Sequence, residues 1–389
     1  MRRSSRRWVG GTAVAALTLG AVLAAVAVSG GSPGSRVSAP LAKAPTPSPP
    51  TTIALPTGNV LPTQQNVSIQ FSGTTDGWLV LDPGNGGPGE VEATTDGGSQ
   101  WQRVLTTSGN LWGVDFISPQ DGWVVGTDTL QRTTNAGRTW SVVGEPSNPL
   151  ELVDFVSSQV GWGVTRDNTL VDTTNGGQTW AGASAPTKVE AACFSSSTLG
   201  WLIGQSAIYV TSNGGKSWVQ AYESQRAISG PGSNGISCNG NVAWAQFDLG
   251  AGMGQESVLE VTTTSGAAVG SWKVVGASGP KSTPYPQLNV SGKFSRPAVG
   301  ANGQAVLIAE SPTQHVTGIR TDNAGNSFAK TSGMTVPNVV TKPHVSMSTG
   351  VAWASILTEE VTGRYADGIF EMAQGSTTWH QIASVPVPS

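Results

Sequence analysis

A box closed by tryptophan recurs along this chain at the length of one small sheet. The stretch "TLQRTTNAGRTW" at 129–140 returns as "TLVDTTNGGQTW" at 169–180 and as "IYVTSNGGKSW" at 208–218. The closing residues Trp101, Trp140, Trp180 and Trp218 stand 39, 40 and 38 residues apart. A period near 40 is that of a four-stranded propeller blade. Weaker copies end at Trp272, at Phe328 in "TDNAGNSF" and at Trp379, so seven boxes are visible.

A second motif interleaves with the first. "FSGTTDGW", "FISPQDGW", "FVSSQVGW" and "FSSSTLGW" end at Trp78, Trp123, Trp162 and Trp201, with looser copies at Trp244 and Trp353. The sixth copy, near "GANGQAVLI", has lost its Trp. Twelve of the fourteen Trp fall on these two repeat positions, which argues that each ring packs between adjoining sheets. In the second unit, alternation and turn signals predict strands at 111–117, 122–127, 129–134 and 139–143. The box is then the third turn. Its Asn or Asp can bond turn N–H groups, its Gly can take positive φ, its Thr or Ser can close a local hydrogen bond, and its Trp packs inward. The structural box residues are Asp96, Trp101, Asn135, Trp140, Asn175, Trp180, Asn213, Trp218, Asn323 and Phe328. A calcium role is disfavoured because Asn replaces the carboxylate a hard cation would want.

Composition narrows the function. Only 12% of residues are charged and 51 of the 389 are Gly, against about 25% and about 7% in ordinary soluble domains. That suits strands and turns. A net charge of −3 and a pI near 5.7 supply no basic field for nucleic acid. Three His and two Cys can hardly assemble a metal cluster, and no metal or cofactor is expected.

The N-terminus carries Arg2, Arg3, Arg6 and Arg7 before an apolar run from Trp8 to Val28. Its length allows a retained membrane anchor, while Ala25-Val26-Ala27 offers a cleavage site for a signal peptide. Residues 1–28 are therefore signal or anchor, and 29–65 form a Pro/Ser/Gly-rich linker around "APTPSPPTT". Residues 66–389 form the repeat domain, expected outside the cytoplasm and in contact with the membrane only through the N-terminal segment.

The pair "DGWVVG…TTNAGRTW" resembles the Asp-box, or bacterial neuraminidase repeat. The joint spacing over 66–389 is most similar to the propeller family of the photosystem II assembly and stability factor. The resemblance implies an all-β, seven-bladed propeller of four-stranded antiparallel blades. It implies function less sharply, since that superfamily includes sialidases, xyloglucan hydrolases, sorting receptors and non-catalytic assembly factors. A sialidase would carry three Arg for a substrate carboxylate, one of them in an early "FRIP"-like stretch. Here the nearest string is "FSRPAV" at 294–299, in the sixth unit and in another order, and no Arg lies between Arg36 and Arg103.

Two further features remain open on the sequence. Asp115 and Asp154 occupy the same position in units two and three, either as turn-capping carboxylates or as a hydrolytic pair at the channel rim. Cys193 and Cys238 lie in the first strands of units four and five, either bonded in an oxidising compartment or buried as small residues. Extra loop length appears at 81–92, 222–235, 246–257, 274–287 and 357–368, all expected on the face opposite the boxes. Tyr222, Glu223, Arg226, Tyr285, Glu359, Arg364 and Tyr365 on these segments are the candidate binding residues, and no catalytic residue is assigned. The expected function is a non-catalytic protein-binding or assembly scaffold at the cell envelope, its partner another envelope protein or peptide. A carbohydrate-binding or glycoside-hydrolase propeller is the alternative. Each blade is contiguous in sequence, so ring closure rests on packing between the first and last blades unless "TTIALP" at 51–56 adds a strand.

Overall fold

The computed structural model describes residues 67–387, apart from 84–86, 128, 226–233, 253–254, 289, 291, 312–314, 337 and 362–363. The signal or anchor segment, the linker and the 51–56 stretch lie outside the described residues. In the second unit strands form at Leu111–Phe116, Gly122–Gly126, Thr129–Thr133 and Ser141–Val142. The fourth is shorter than the sequence suggests because Trp140 turns inward, edge-on to Phe116 at 6.1 Å. Seven such antiparallel sheets follow one another, each ordered first to fourth strand. The first strand of blade one (Val67–Ser72) contacts those of blade two and of blade seven (His344–Ser348), closing a seven-bladed propeller with first strands innermost.

One aromatic unit repeats at the blade boundaries. The second-strand Trp of one blade lies flat on a Phe that ends the first strand of the next. Trp78 stacks on Phe116 at 3.5 Å, Trp123 on Phe155 at 3.6 Å and Trp162 on Phe194 at 3.6 Å, all within 7° of parallel. The box Trp of the receiving blade meets the same Phe edge-on, Trp180 against Phe155 at 6.0 Å for example. Each Phe is thus held between two indoles, an arrangement favoured by aromatic quadrupoles beyond simple area burial.

This sandwich explains the Gly before each second-strand Trp. Gly77, Gly122, Gly161 and Gly200 pair directly across the sheet with Phe71, Phe116, Phe155 and Phe194. A Cβ at Gly161 would lie 2.4 Å from the Phe155 ring. Where the Phe is absent the Gly is replaced by Ala: Cys238 faces Ala243, Val299 faces Ala305 and Met347 faces Ala352. The glycine serves close approach, not turn geometry.

A second set of links joins the inner strands. Gln70 Oε1 accepts the Phe116 N–H at 2.7 Å, Asp115 Oδ2 that of Phe155 at 2.5 Å, and Asp154 Oδ2 that of Phe194 at 2.5 Å. Cys193, at the equivalent position in blade four, is disulfide-bonded to Cys238 of blade five, with Cα atoms 6.0 Å apart. Ser346 Oγ accepts the Phe71 N–H at 3.0 Å, joining blade seven to blade one. Each link therefore runs from one position on an inner strand to the next position on the following blade. Closure repeats the other joints: Phe71 stacks on Trp353 at 3.9 Å, and Trp353 Nε1 donates to the Gly97 carbonyl at 3.0 Å.

The box satisfies its own turn. Thr133 Oγ1 donates to Asn135 Oδ1 and accepts the Gly137 N–H, while Asn135 Oδ1 accepts the Thr139 N–H and Asn135 Nδ2 donates to Thr139 Oγ1. The same pattern recurs around Asn175, Asn213 and Asn323. In blade one Asp96 stands opposite Gln100, which offers only its backbone N–H to the carboxylate. The Asn copies thus gain a side-chain donor bond to a Thr or Ser hydroxyl.

Candidate binding site in the central channel

The inner strands enclose a cavity of about 610 Å³. Its walls come from the first strands, Ser68 to Phe71 in blade one and His344 to Met347 in blade seven among them. Among the described residues lining it, Glu151 is the single carboxylate, and Ser68, Asn234, Ser237 and Gln246 add neutral polar groups. A cavity of this size matches small-ligand sites, which range over about 300–1,000 Å³.

Arg296 is the unusual member of the wall. In blade six the first strand is broken into Lys293–Phe294 and Ala298–Val299, both paired with the second strand Ala305–Glu310. Phe294 faces Ala309 and Ala298 faces Val306, so three residues oppose two and the strand bulges at Ser295-Arg296-Pro297. Pro297 has no N–H to give to a ladder, and a bulge re-aims the side chain it carries. Ser295 pins the bulge by its N–H to the Ile308 carbonyl at 2.9 Å and by its Oγ to the Ile308 N–H at 3.1 Å. Arg296 is turned into the channel, its Cγ and Nε each 3.2 Å from where a Cβ on Gly235 would stand.

The charges around Arg296 are uneven. Lys342 pairs with Glu256 at 2.7 Å. His344 is pushed down to about 4 by burial, then by the charges of Arg296 and Lys342. The enclosing channel wall lowers the Arg296 pKa as well, though the side chain still meets channel solvent, and no carboxylate pairs with it among the described residues. Asp115 and Asp154 are half-buried on the inner strands and do not line the cavity. Burial raises both, Asp154 to about 7, and the nearby Asp154 raises Asp115 further while the Phe155 N–H opposes the rise.

The residues singled out from sequence form two groups. Tyr222 sits in the fourth strand of blade four, half-buried, 5.8 Å from Phe247, and with Tyr285 packs on the core between blades four and five. Glu223 beside it is exposed and accepts a bond from Gln220 Nε2 at 3.1 Å. On blade seven Glu359 faces Tyr365 and Arg364 is exposed at the hairpin tip. The Tyr365 ring packs on the core between blades seven and one. Arg226 lies outside the described residues. Two of the long segments are not irregular loops: the second and third strands of blade five, Val242–Gly252 and Gln255–Thr263, and of blade seven, Val351–Val361 and Arg364–Met372, extend as long hairpins. Extra length was legible in the sequence, but alternation at 246–257 is masked by Gly.

No protein-family model matches the chain, and no curated protein matches it. Solved structures do. YCF48 bound to a D1 peptide shares 15% identity over 85% of this chain and 93% of that one, with a TM-score of 0.50. YCF48 from Cyanidioschyzon merolae shares 15% over 84% and 97%, also at 0.50. The GH74 enzyme of Niastella koreensis shares 16% over 83% of this chain, which spans 55% of that enzyme, at 0.56. The likeness is one of fold. It joins a propeller solved with a bound peptide and a GH74 enzyme on one scaffold, so function has to be argued from the site.

Proposed function

We propose that this propeller is an exported, non-catalytic scaffold that holds another envelope protein or a peptide from it. The observation that carries the reading is the use made of Asp115 and Asp154. Each carboxylate accepts a backbone N–H of the next blade and links the ring, and the cavity is left with Glu151 as its single described carboxylate. Glycoside hydrolysis by the usual route asks for two opposed carboxylates about 5–10 Å apart, and this wall does not supply a second. The solved propeller with a bound peptide supports a protein partner, and the disulfide supports an oxidising compartment. The long hairpins of blades five and seven give the partner a rigid face.

Crosslinking of the full chain in its native envelope tests the reading. The wild type should capture a protein partner that a Glu223→Ala, Arg364→Ala variant with unchanged melting temperature loses. Hydrolysis of an envelope glycan, abolished by Glu151→Gln, would overturn it in favour of the hydrolase.

A further inference from the structure

The guanidinium in the channel meets channel solvent and has no internal partner. A carboxylate that meets an arginine fork makes two charge-assisted hydrogen bonds, yet Arg296 has no such partner among the described residues, and the second cation of the wall is already neutralised by Glu256. Nor does the fold need a cation at this position. The position that links blades through Gln70, Asp115, Asp154, Cys193 and Ser346 falls in blade six to Ala298, whereas the bulge and its proline turn Arg296 away from its own sheet. The space around it is kept clear. Gly235 lies against the side-chain stem with an unstrained backbone, and any larger residue there would press on Cγ, Cδ and Nε. Ser237 adds a neutral hydroxyl to the same cavity, while Asn234 is held by Glu190, the Gln205 carbonyl and the Asp248 N–H.

We infer that the channel is a binding site for a carboxylate, taken end-on by the Arg296 fork in a cavity of about 610 Å³. The carboxylate belongs either to a small free organic acid or to an acidic group carried on a peptide, and the recognising chemistry is the same for both. Planar N–H donors spaced to match two carboxylate oxygens give the contact its direction. Gln246 is already committed to Glu260 and to the Ser295 carbonyl, so it orients the bulge instead of the ligand. His344, held neutral, adds no competing charge. This inference stands whether or not the long-hairpin face docks a protein.

Calorimetric titration of the full-length chain in mild detergent at low salt provides the test, with glutarate as the free acid and a terminally blocked peptide carrying one Glu as the tethered one. At least one probe should bind one to one. Arg296→Gln should weaken it about tenfold or more, and Gly235→Val, which crowds the fork without removing it, should weaken it in the same direction. Lys330→Gln, a surface charge change of the same size on blade six, should leave binding unchanged. Binding of glutarate would identify a free acid as the natural class; binding of the peptide alone would identify a tethered one. Because Arg296 is exposed and unpaired, Arg296→Gln should melt within about 1 °C of the wild-type temperature. Three results would overturn the inference: neither probe binding up to about 10 mM, Arg296→Gln binding as tightly as wild type, or that variant melting several degrees lower, as a purely structural arginine would require.

Discussion

Gly161 offers the sharpest check on how the blades are joined. It lies in extended strand, so a methyl group alone would stabilise the protein by about 0.5–1 kcal/mol by restricting the unfolded chain. The Phe155 ring stands in the way: the new Cβ would lie 2.4 Å from it, and that ring is clamped at 3.6 Å by Trp123 and at 6.0 Å by Trp180. Overpacking of a clamped core costs about 1–3 kcal/mol, so Gly161→Ala should destabilise by about 1–2 kcal/mol. For a ring of roughly 320 residues, an unfolding entropy of about 2.1 cal/mol/K per residue makes that a fall of about 1.5–3 °C. Phe155→Met alone loses the sandwich and should cost about 1–3 kcal/mol. The pair together recreates what blade seven already contains, Met347 facing Ala352, and should be more stable than the sum of the single changes by about 1–2 kcal/mol. Thermal melts of the four proteins, followed by tryptophan fluorescence, complete the cycle. A Gly161→Ala protein that melts higher than wild type, or a strictly additive double variant, would refute the close-approach account.

Other consequences are simpler to state. Burial raises Asp154 from 3.8 to about 7, so its contribution is fully present below about pH 4 and is lost as pH rises through about 7. Asp154→Asn keeps an oxygen for the Phe194 N–H, and its melting temperature should fall less than that of wild type between about pH 5 and pH 8; Glu260 and Asp367, also near 7, leave a residual slope. The Cys193–Cys238 bond closes 45 residues, for which chain entropy sets a contribution of up to about 4 kcal/mol, so a Cys193→Ser, Cys238→Ser variant should unfold at lower denaturant by an amount equivalent to about 2–4 kcal/mol. Ala136 holds φ at 63°, where Gly97, Gly176 and Gly214 stand in the matching boxes; Ala136→Gly should raise stability by about 0.5–1 kcal/mol, measured by the same denaturation.

The blade count was legible because tryptophan spacing survives loop variation, and box Asn and Thr spacing was enough to assign the turn. The Gly before each second-strand Trp was visible but its reason was not. Its Phe partner is set by strand register, which periodicity alone leaves free by two residues. The links from Gln70, Asp115 and Asp154 reach the neighbouring blade about 40 residues on, a contact no local pattern announces. Arg296 had a signal in plain view: proline inside a segment that should be an inner strand, as "FSRPAV" shows, marks a bulge, and the residue before it is the one a bulge re-aims. Comparing that string only with a sialidase pattern hid it.

The joint between blades seven and one uses the same parts as the joint between blades one and two. Since a ring built this way has no privileged seam, the chain could in principle be opened at another inter-blade turn and its present ends spliced. Where the polypeptide enters the circle is then a matter of gene order, free to vary without altering which residues face the hole.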